Sequence, residues 1–167
     1  MGPEEQKIDN YYLGNLGVLL ADIFNEMNLI EEMSLKLSSF SDVSLKEMHT
    51  IQAIGLNGST SSSELAEKLH ITMGTLTVAI RNLVKKGYVQ RNRLPEDRRV
   101  VRVELTKSGR VLYRIHRKFH VNMAKGTLKD FDAEEVDTIY RGLRSLQSFL
   151  NDTRTALMTQ QEGLMNE

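Results

Sequence analysis

The 167-residue chain contains no cysteine. That excludes disulfides and thiol catalysis, and it fits a reducing cytoplasm. Long apolar runs are also missing: the longest, around Leu16 to Phe24, is broken by Gly17 and Asp22 and is too short to span a bilayer. The start, MGPEEQKIDN, is acidic and polar, unlike a signal peptide. There is no Gly-x-Ser-x-Gly, no phosphate-binding glycine loop and no His-Glu-x-x-His, so no residue is nominated as catalytic and no enzyme is expected. With 40% hydrophobic residues and no internal repeat, the composition suits one domain with a modest core, placed in the cytoplasm with no membrane partner.

Net charge is absent too, since 22 Lys/Arg balance 22 Asp/Glu, but the balance hides a segregation. Residues 1–70 hold 4 basic against 11 acidic side chains, residues 71–130 hold 15 against 4, and residues 131–167 hold 3 against 7. The middle segment is therefore at +11 between ends of −7 and −4. Phosphate binding requires such a cluster. The plainer reading is a solvated basic face paired with the acidic ends of the same chain.

What is present is organised around Thr60 to Leu105. Ser61 stands three residues before Glu64, a capping box, and Thr60 and Ser62 are further possible caps; Leu65, Ala66 and Leu69 then give an apolar face. The chain turns at His70-Ile71-Thr72, and Thr72 can cap a second helix carrying Leu76, Ala79, Ile80 and Leu83, with Gly87 as its terminator. Two helices so spaced fit a helix-turn-helix, or any helical hairpin. The next residues favour the former: Tyr88–Arg93 and Val100–Leu105 read as hairpin strands, and the loop between them carries Pro95, Glu96, Asp97, Arg98 and Arg99. A cationic hairpin in that place is a wing.

On either side the pattern is helical. Leu16, Leu20, Ile23, Met27, Ile30 and Met33 keep one face apolar from Ile8 to about Leu37, a stripe long enough to suggest a dimer arm. Ser44 and Glu47 form another capping box, and Met48, Ile51 and Ile54 face inward before Gly55 to Gly58 ends that helix. Beyond the wing, Thr106 can cap a helix to about Ala124 with Val111, Leu112, Ile115, Phe119 and Met123 as its stripe. Asp132 and Glu135 open a last helix with Val136, Ile139, Leu143, Leu146 and Leu150. The expected division is a dimerisation helix and linker over 1–43, a winged helix-turn-helix over 44–105, dimerisation helices over 106–152 and a polar, frayed tail over 153–167. The fold class is mostly α with a small β-hairpin wing.

This order resembles the MarR family of bacterial winged-helix regulators. The resemblance is carried by Ser63-Glu64-Leu65-Ala66, Thr75-Leu76-Thr77, Leu83-Val84-Lys85-Lys86-Gly87-Tyr88-Val89, and Asp97-Arg98-Arg99 leading to Val103-Glu104-Leu105-Thr106-Lys107-Ser108-Gly109-Arg110. It covers about residues 35–120. More narrowly, Lys46-Glu47-Met48-His49-Thr50-Ile51 and His116-Arg117-Lys118-Phe119-His120 look like the branch that represses fatty-acid synthesis genes in Gram-positive bacteria. That branch implies a long-chain acyl group on acyl carrier protein as corepressor, with no cofactor required.

The resemblance implies a homodimer on double-stranded DNA, its two recognition helices in successive major grooves of a pseudo-palindrome. Side chains outside the buried stripe of that helix are Met73, Gly74, Thr75, Thr77, Val78, Arg81, Asn82 and Lys85; Ser62 and Ser63 join them from the first helix. Arg81 alone can make the bidentate contact that selects guanine, while Thr and Val methyls suit thymine, so an A·T-rich operator is expected. Asn82 can read adenine or simply be solvated. In the wing, Arg99 matches the family's minor-groove arginine, with Asp97 holding it, and Arg91, Arg93 and Arg98 are assigned to phosphates. An Asp-Arg pair that only stiffens the hairpin is the bland alternative.

For the effector, Arg110, Arg114, Arg117 and Lys118 present a basic face to an acidic carrier protein, with Leu20, Phe24 and Phe119 near an acyl chain. A competing reading places zinc among His49, His116, His120 and a carboxylate of Glu31 or Glu32, where zinc-sensing members of the family are similar. No metal is favoured, since histidines hydrogen-bonded in a dimer interface explain the same residues. A partner-binding helical bundle that ignores DNA is the remaining class.

Overall fold

The computed structural model describes residues 10–56, 60–93 and 101–165. In chain order its elements are α1 (Asn10–Lys36), α2 (Leu45–Ile54), β1 (Thr60–Ser61), α3 (Ser62–Leu69), α4 (Met73–Lys85), β2 (Val89–Arg93), β3 (Val101–Leu105), α5 (Lys107–Leu128) and α6 (Ala133–Met165). The fold is thus helical with one small antiparallel sheet, as the patterning suggests. The described residues fall into two compact units, one ending at Arg117 and one beginning at Lys118, where composition suggests a single domain. Burial shows why: among the described residues, every buried apolar side chain lies at or before Leu112.

In the first unit the helix starts are set by side-chain caps. Ser44 accepts from the Glu47 N–H while Glu47 accepts from the Ser44 N–H, and Ser61 and Glu64 repeat the arrangement. Of the three candidate caps for α3, Ser61 is the one used. His70 closes α3 in the left-handed region at φ 53°, its N–H directed at the carbonyls of Ala66 and Glu67. Gly87, at φ 79°, ends the turn after α4, a backbone that glycine adopts without steric cost. Met48, Ile51, Leu65, Leu76, Ile80 and Leu83 are essentially inaccessible and form the core.

The sheet has the order β1-β3-β2. The hairpin register runs from Val89↔Leu105 to Arg93↔Val101, and β1 adds Thr60↔Val103 and Ser61↔Arg102 on the other edge of β3. The patterning misses β1, because two residues carry no alternation. Residues 94–100, with Pro95, Glu96, Asp97, Arg98 and Arg99, lie outside the described residues.

Helix α5 starts where expected, Thr106 Oγ1 accepting from the Gly109 N–H at 3.2 Å, and runs past Ala124 to Leu128. Its buried line is Gly109, Leu112 and His116 rather than the expected Val111 and Ile115, which are exposed. The reason is a contact with a residue distant in sequence. Gly109 lies so close to the Tyr88 carbonyl that an added Cβ would stand 2.1 Å from its oxygen, which turns the Gly109 face of the helix inward.

The second unit holds the end of α5 and all of α6. Asp132 and Glu135 cap α6 reciprocally, each N–H to carboxylate distance being 2.9 Å. Along α6, Val136, Ile139 and Leu146 are half-buried, whereas Leu143 and Leu150 are exposed. The tail expected to fray from 153 is helical to Met165. Its threonines bond back along the helix, Thr155 to the Asn151 carbonyl and Thr159 to that of Thr155.

Candidate nucleic-acid interface

Helix α4 buries Leu76, Ile80 and Leu83 and turns Met73, Gly74, Thr75, Thr77, Val78, Arg81, Asn82 and Lys85 outward. All eight residues assigned to DNA reading are exposed, because a 3.6-residue period with one apolar stripe leaves no other place for them. Thr72 caps the helix, its Oγ1 accepting from the Thr75 N–H at 3.2 Å and lying 2.9 Å from Thr75 Oγ1. The Thr77 hydroxyl donates to the Met73 carbonyl at 2.7 Å, which occupies its proton and leaves its methyl as the group free for apolar contact. At the head of α3, Ser63 is exposed and Ser62 half-buried.

The hairpin leans on this helix. Arg91 donates to the Thr77 carbonyl at 3.4 Å, so one of its nitrogens serves as a strut between β2 and α4. Glu104 gathers the Gln90 and Asn92 amides at 3.2 and 2.9 Å on the exposed face of the hairpin. Arg93 is paired in the ladder through its backbone. The expected minor-groove pair, Asp97 and Arg99, and the phosphate contact Arg98 lie outside the described residues.

The far end of α4 carries a group of bonds to which the sequence reading assigns no role. Lys86 Nζ donates to Glu47 Oε2 at 2.7 Å and to the Asp42 carbonyl, and the Tyr88 hydroxyl donates to Asp42 Oδ1 at 2.8 Å. Burial acts to raise the Glu47 carboxyl, but the bonds from Lys86 and from the Ser44 N–H and hydroxyl, with the Lys86 charge, hold it below its ordinary value. Burial, then the bond to Asp42 and its charge, push the Tyr88 phenol up to about 12. Residues 39 and 44 positions apart meet here, which no local spacing announces.

A second polar group in the same unit joins α1, α2 and α5. Glu31 and His116 are buried, with a carboxylate oxygen and a ring nitrogen within 4.8 Å of one another. His49 Nε2 lies 3.4 Å from Glu31 Oε2, and the His49 and His116 ring centroids are 6.3 Å apart. Glu32, the other carboxylate considered, pairs instead with Lys36 at 2.8 Å on the surface. Among the effector candidates of this unit, Arg110, Arg114, Arg117 and Phe24 are exposed and Leu20 half-buried. In the other unit Lys118 is exposed, and Phe119 and His120 are half-buried with their rings edge to face.

Residues 43–101 match the model of the MarR family. Over 114 residues the chain is 30% identical to the HTH-type transcriptional regulator YfiV of Bacillus subtilis, which covers 68% of this chain and 71% of that protein. The chain belongs to the MarR family. Among solved structures it is similar to Streptococcus pneumoniae FabT in complex with DNA, at 40% identity and a TM-score of 0.79, covering 84% of this chain and 98% of that one. The fold also matches a Staphylococcus aureus MepR–DNA complex, at 22% identity and a TM-score of 0.66, over 81% and 97% of the two chains. This MarR-family chain is therefore a DNA-binding transcriptional regulator, and its relatives are regulators rather than enzymes. No helix among the described residues is long and apolar enough to cross a membrane.

Proposed function

We propose that the protein is a homodimeric repressor of fatty-acid synthesis genes, binding an A·T-rich pseudo-palindrome with long-chain acyl-acyl carrier protein as its corepressor. The observation that carries this reading is the 40% identity to FabT over nearly all of that protein, itself seen on DNA. The motifs at 46–51 and 116–120 point to the same branch. Dimerisation is supported by α1, where Leu13, Leu16, Leu19 and Ile23 are exposed along the helix, and separately by exposed Tyr140, Leu143 and Leu150 on α6. Apolar surface of this kind on a single chain calls for a partner. Arg81 is assigned to guanine, Asn82 to adenine, the Thr77 and Val78 methyls to thymine, and Arg91 and Arg93 to phosphates. Arg99, with Asp97 beside it, is assigned to the minor groove, and Arg99→Ala should weaken operator binding by about 1–3 kcal/mol.

Lys107, Arg110, Arg114 and Arg117 are exposed on successive turns of α5, which supports a dock for an acidic carrier. The deciding experiment is selection of the preferred duplex from a random pool, followed by gel shift with acylated and with unacylated carrier protein. Tighter binding with the acylated form alone is expected. Equal binding with acylated carrier, with unacylated carrier and without carrier removes the corepressor.

A second reading, a zinc-responsive repressor, is favoured by one observation: a buried carboxylate faces two imidazoles from different helices. Ligands about 2.1 Å from a tetrahedral zinc stand roughly 3.4 Å from each other, which matches the Glu31–His49 distance of 3.4 Å. Of the residues nominated in this unit, Glu31 and His116 have ligand atoms within 4.8 Å of one another and His49 lies 3.4 Å from Glu31; these would hold the ion. Zinc should then raise the melting temperature, with the gain lost on chelation and absent in His116→Asn. A melting temperature indifferent to zinc leaves the carrier reading alone.

A further inference from the structure

Lys86 lies in the basic segment and forms the C-cap of the recognition helix, beside Lys85, which is exposed and assigned to DNA. Charge alone would send both to phosphates. Lys86 is exposed as well, but its bonds separate the two: the Lys86 ammonium is committed to Glu47 Oε2 and the Asp42 carbonyl. We propose that Lys86 is a positioning residue for DNA recognition, which fixes the C-terminal end of α4 against α2 and the 37–44 corner and touches no phosphate. The inference rests on the DNA binding of the family and is independent of the fatty-acid reading.

The apolar underside of α4 cannot supply this function. Leu76, Ile80 and Leu83 hold the helix to the core, but the hydrophobic attraction that does so is non-directional. A charge-assisted bond is directional. Lys86 makes one to a carboxylate whose side chain is 9% exposed, and the same oxygen of Glu47 accepts from the Ser44 N–H and hydroxyl at 2.9 and 3.1 Å. The anchor is therefore itself fixed to the first turn of α2. Two residues after Lys86, the buried Tyr88 makes a parallel tie to Asp42 Oδ1, with its ring against Phe40 at 6.0 Å between centroids. Asn82 is joined to Lys86 by the backbone bond from the Lys86 N–H, and Arg81 and Lys85 lie within the same last turns. An error in the angle of this end is delivered to the side chains that read bases.

The test compares operator binding by wild type, Lys86→Met, Lys86→Arg, Glu47→Gln and the Lys86→Met/Glu47→Gln double variant, over a range of salt and with a scrambled duplex as control. Lys86→Met should weaken operator binding roughly tenfold and leave scrambled-duplex binding and the slope of log K against log salt unchanged. Glu47→Gln should match it, the double variant should add little, and Lys86→Arg should recover most of the affinity. A slope reduced by about one with scrambled binding falling in step would make Lys86 a phosphate contact and overturn the proposal. Unchanged operator affinity in a folded Lys86→Met overturns it as well. If Lys86→Met does not fold, Glu47→Gln and Tyr88→Phe carry the test: a loss confined to the operator supports the tie, and full operator affinity in both contradicts it.

Discussion

At the scale of single residues, Gly109 is the most closely approached glycine among the described residues. A Cβ at Gly109 would meet backbone, the Tyr88 carbonyl, which also accepts from the Thr106 N–H at 3.0 Å and cannot withdraw without breaking that bond. Gly109→Ala should lower stability by about 1–3 kcal/mol, read as a reduced denaturant midpoint at unchanged slope. Glu47 provides a pH test. Its carboxyl is held below the ordinary 4.5, so its contribution is present above that value and lost as pH falls through the depressed one. Wild type should therefore lose its advantage over Glu47→Gln from about pH 5 downward, measured as the difference in urea midpoints. The capping pairs Ser44–Glu47, Ser61–Glu64 and Asp132–Glu135 are all legible in the sequence, because each bond spans three residues. The Lys86–Glu47 pair is not, because its partners meet only once α2 and α4 have packed. The Glu31–His49 approach is partly legible: side-chain chemistry nominates the residues, but nothing local chooses Glu31 over Glu32.

At the scale of elements, periodicity carries most of the reading. Helices α1, α2, α4 and α5 start within about two residues of where caps and stripes place them. Two of the misses, β1 and the face of α5, share one cause, which is structure made by partners distant in sequence. Strand β1 exists because β3 offers an edge to Thr60 and Ser61. The last turns of α6 are polar, and the stripe criterion has nothing to count there. The buried face of α5 is rotated by Gly109, so His116 is buried where Ile115 is expected. The recognition helix depends on Thr72, the cap at which α4 begins. Thr72→Ala should cost about 1 kcal/mol of stability and should weaken operator binding, seen by thermal unfolding and anisotropy together. Loss of stability with full operator affinity would show that the first turn of α4 is not needed for reading.

At the scale of the whole molecule, the partition of charge and the exposed apolar residues point in one direction. A basic segment bearing the recognition helix, hairpin and α5 lies between acidic ends, so phosphate attraction is confined to the part that carries the reading face. Apolar residues left exposed on α1, and independently on α6, support two copies per binding site. The fold and the reading face follow from sequence pattern because they are local, whereas the Lys86–Glu47 and Glu31–His49 pairs form only between elements distant in sequence. The central claim, that the outer face of α4 reads duplex DNA, is tested most directly by anisotropy titration of a pool-selected duplex against a scrambled one at several salt concentrations, with wild type and Arg81→Ala side by side. Wild type should prefer the selected duplex at two chains per site and lose affinity steeply with salt, and Arg81→Ala should lose most of the preference while keeping scrambled binding. Equal affinity of wild type for both duplexes, or an Arg81→Ala preference as strong as that of wild type, would contradict the account.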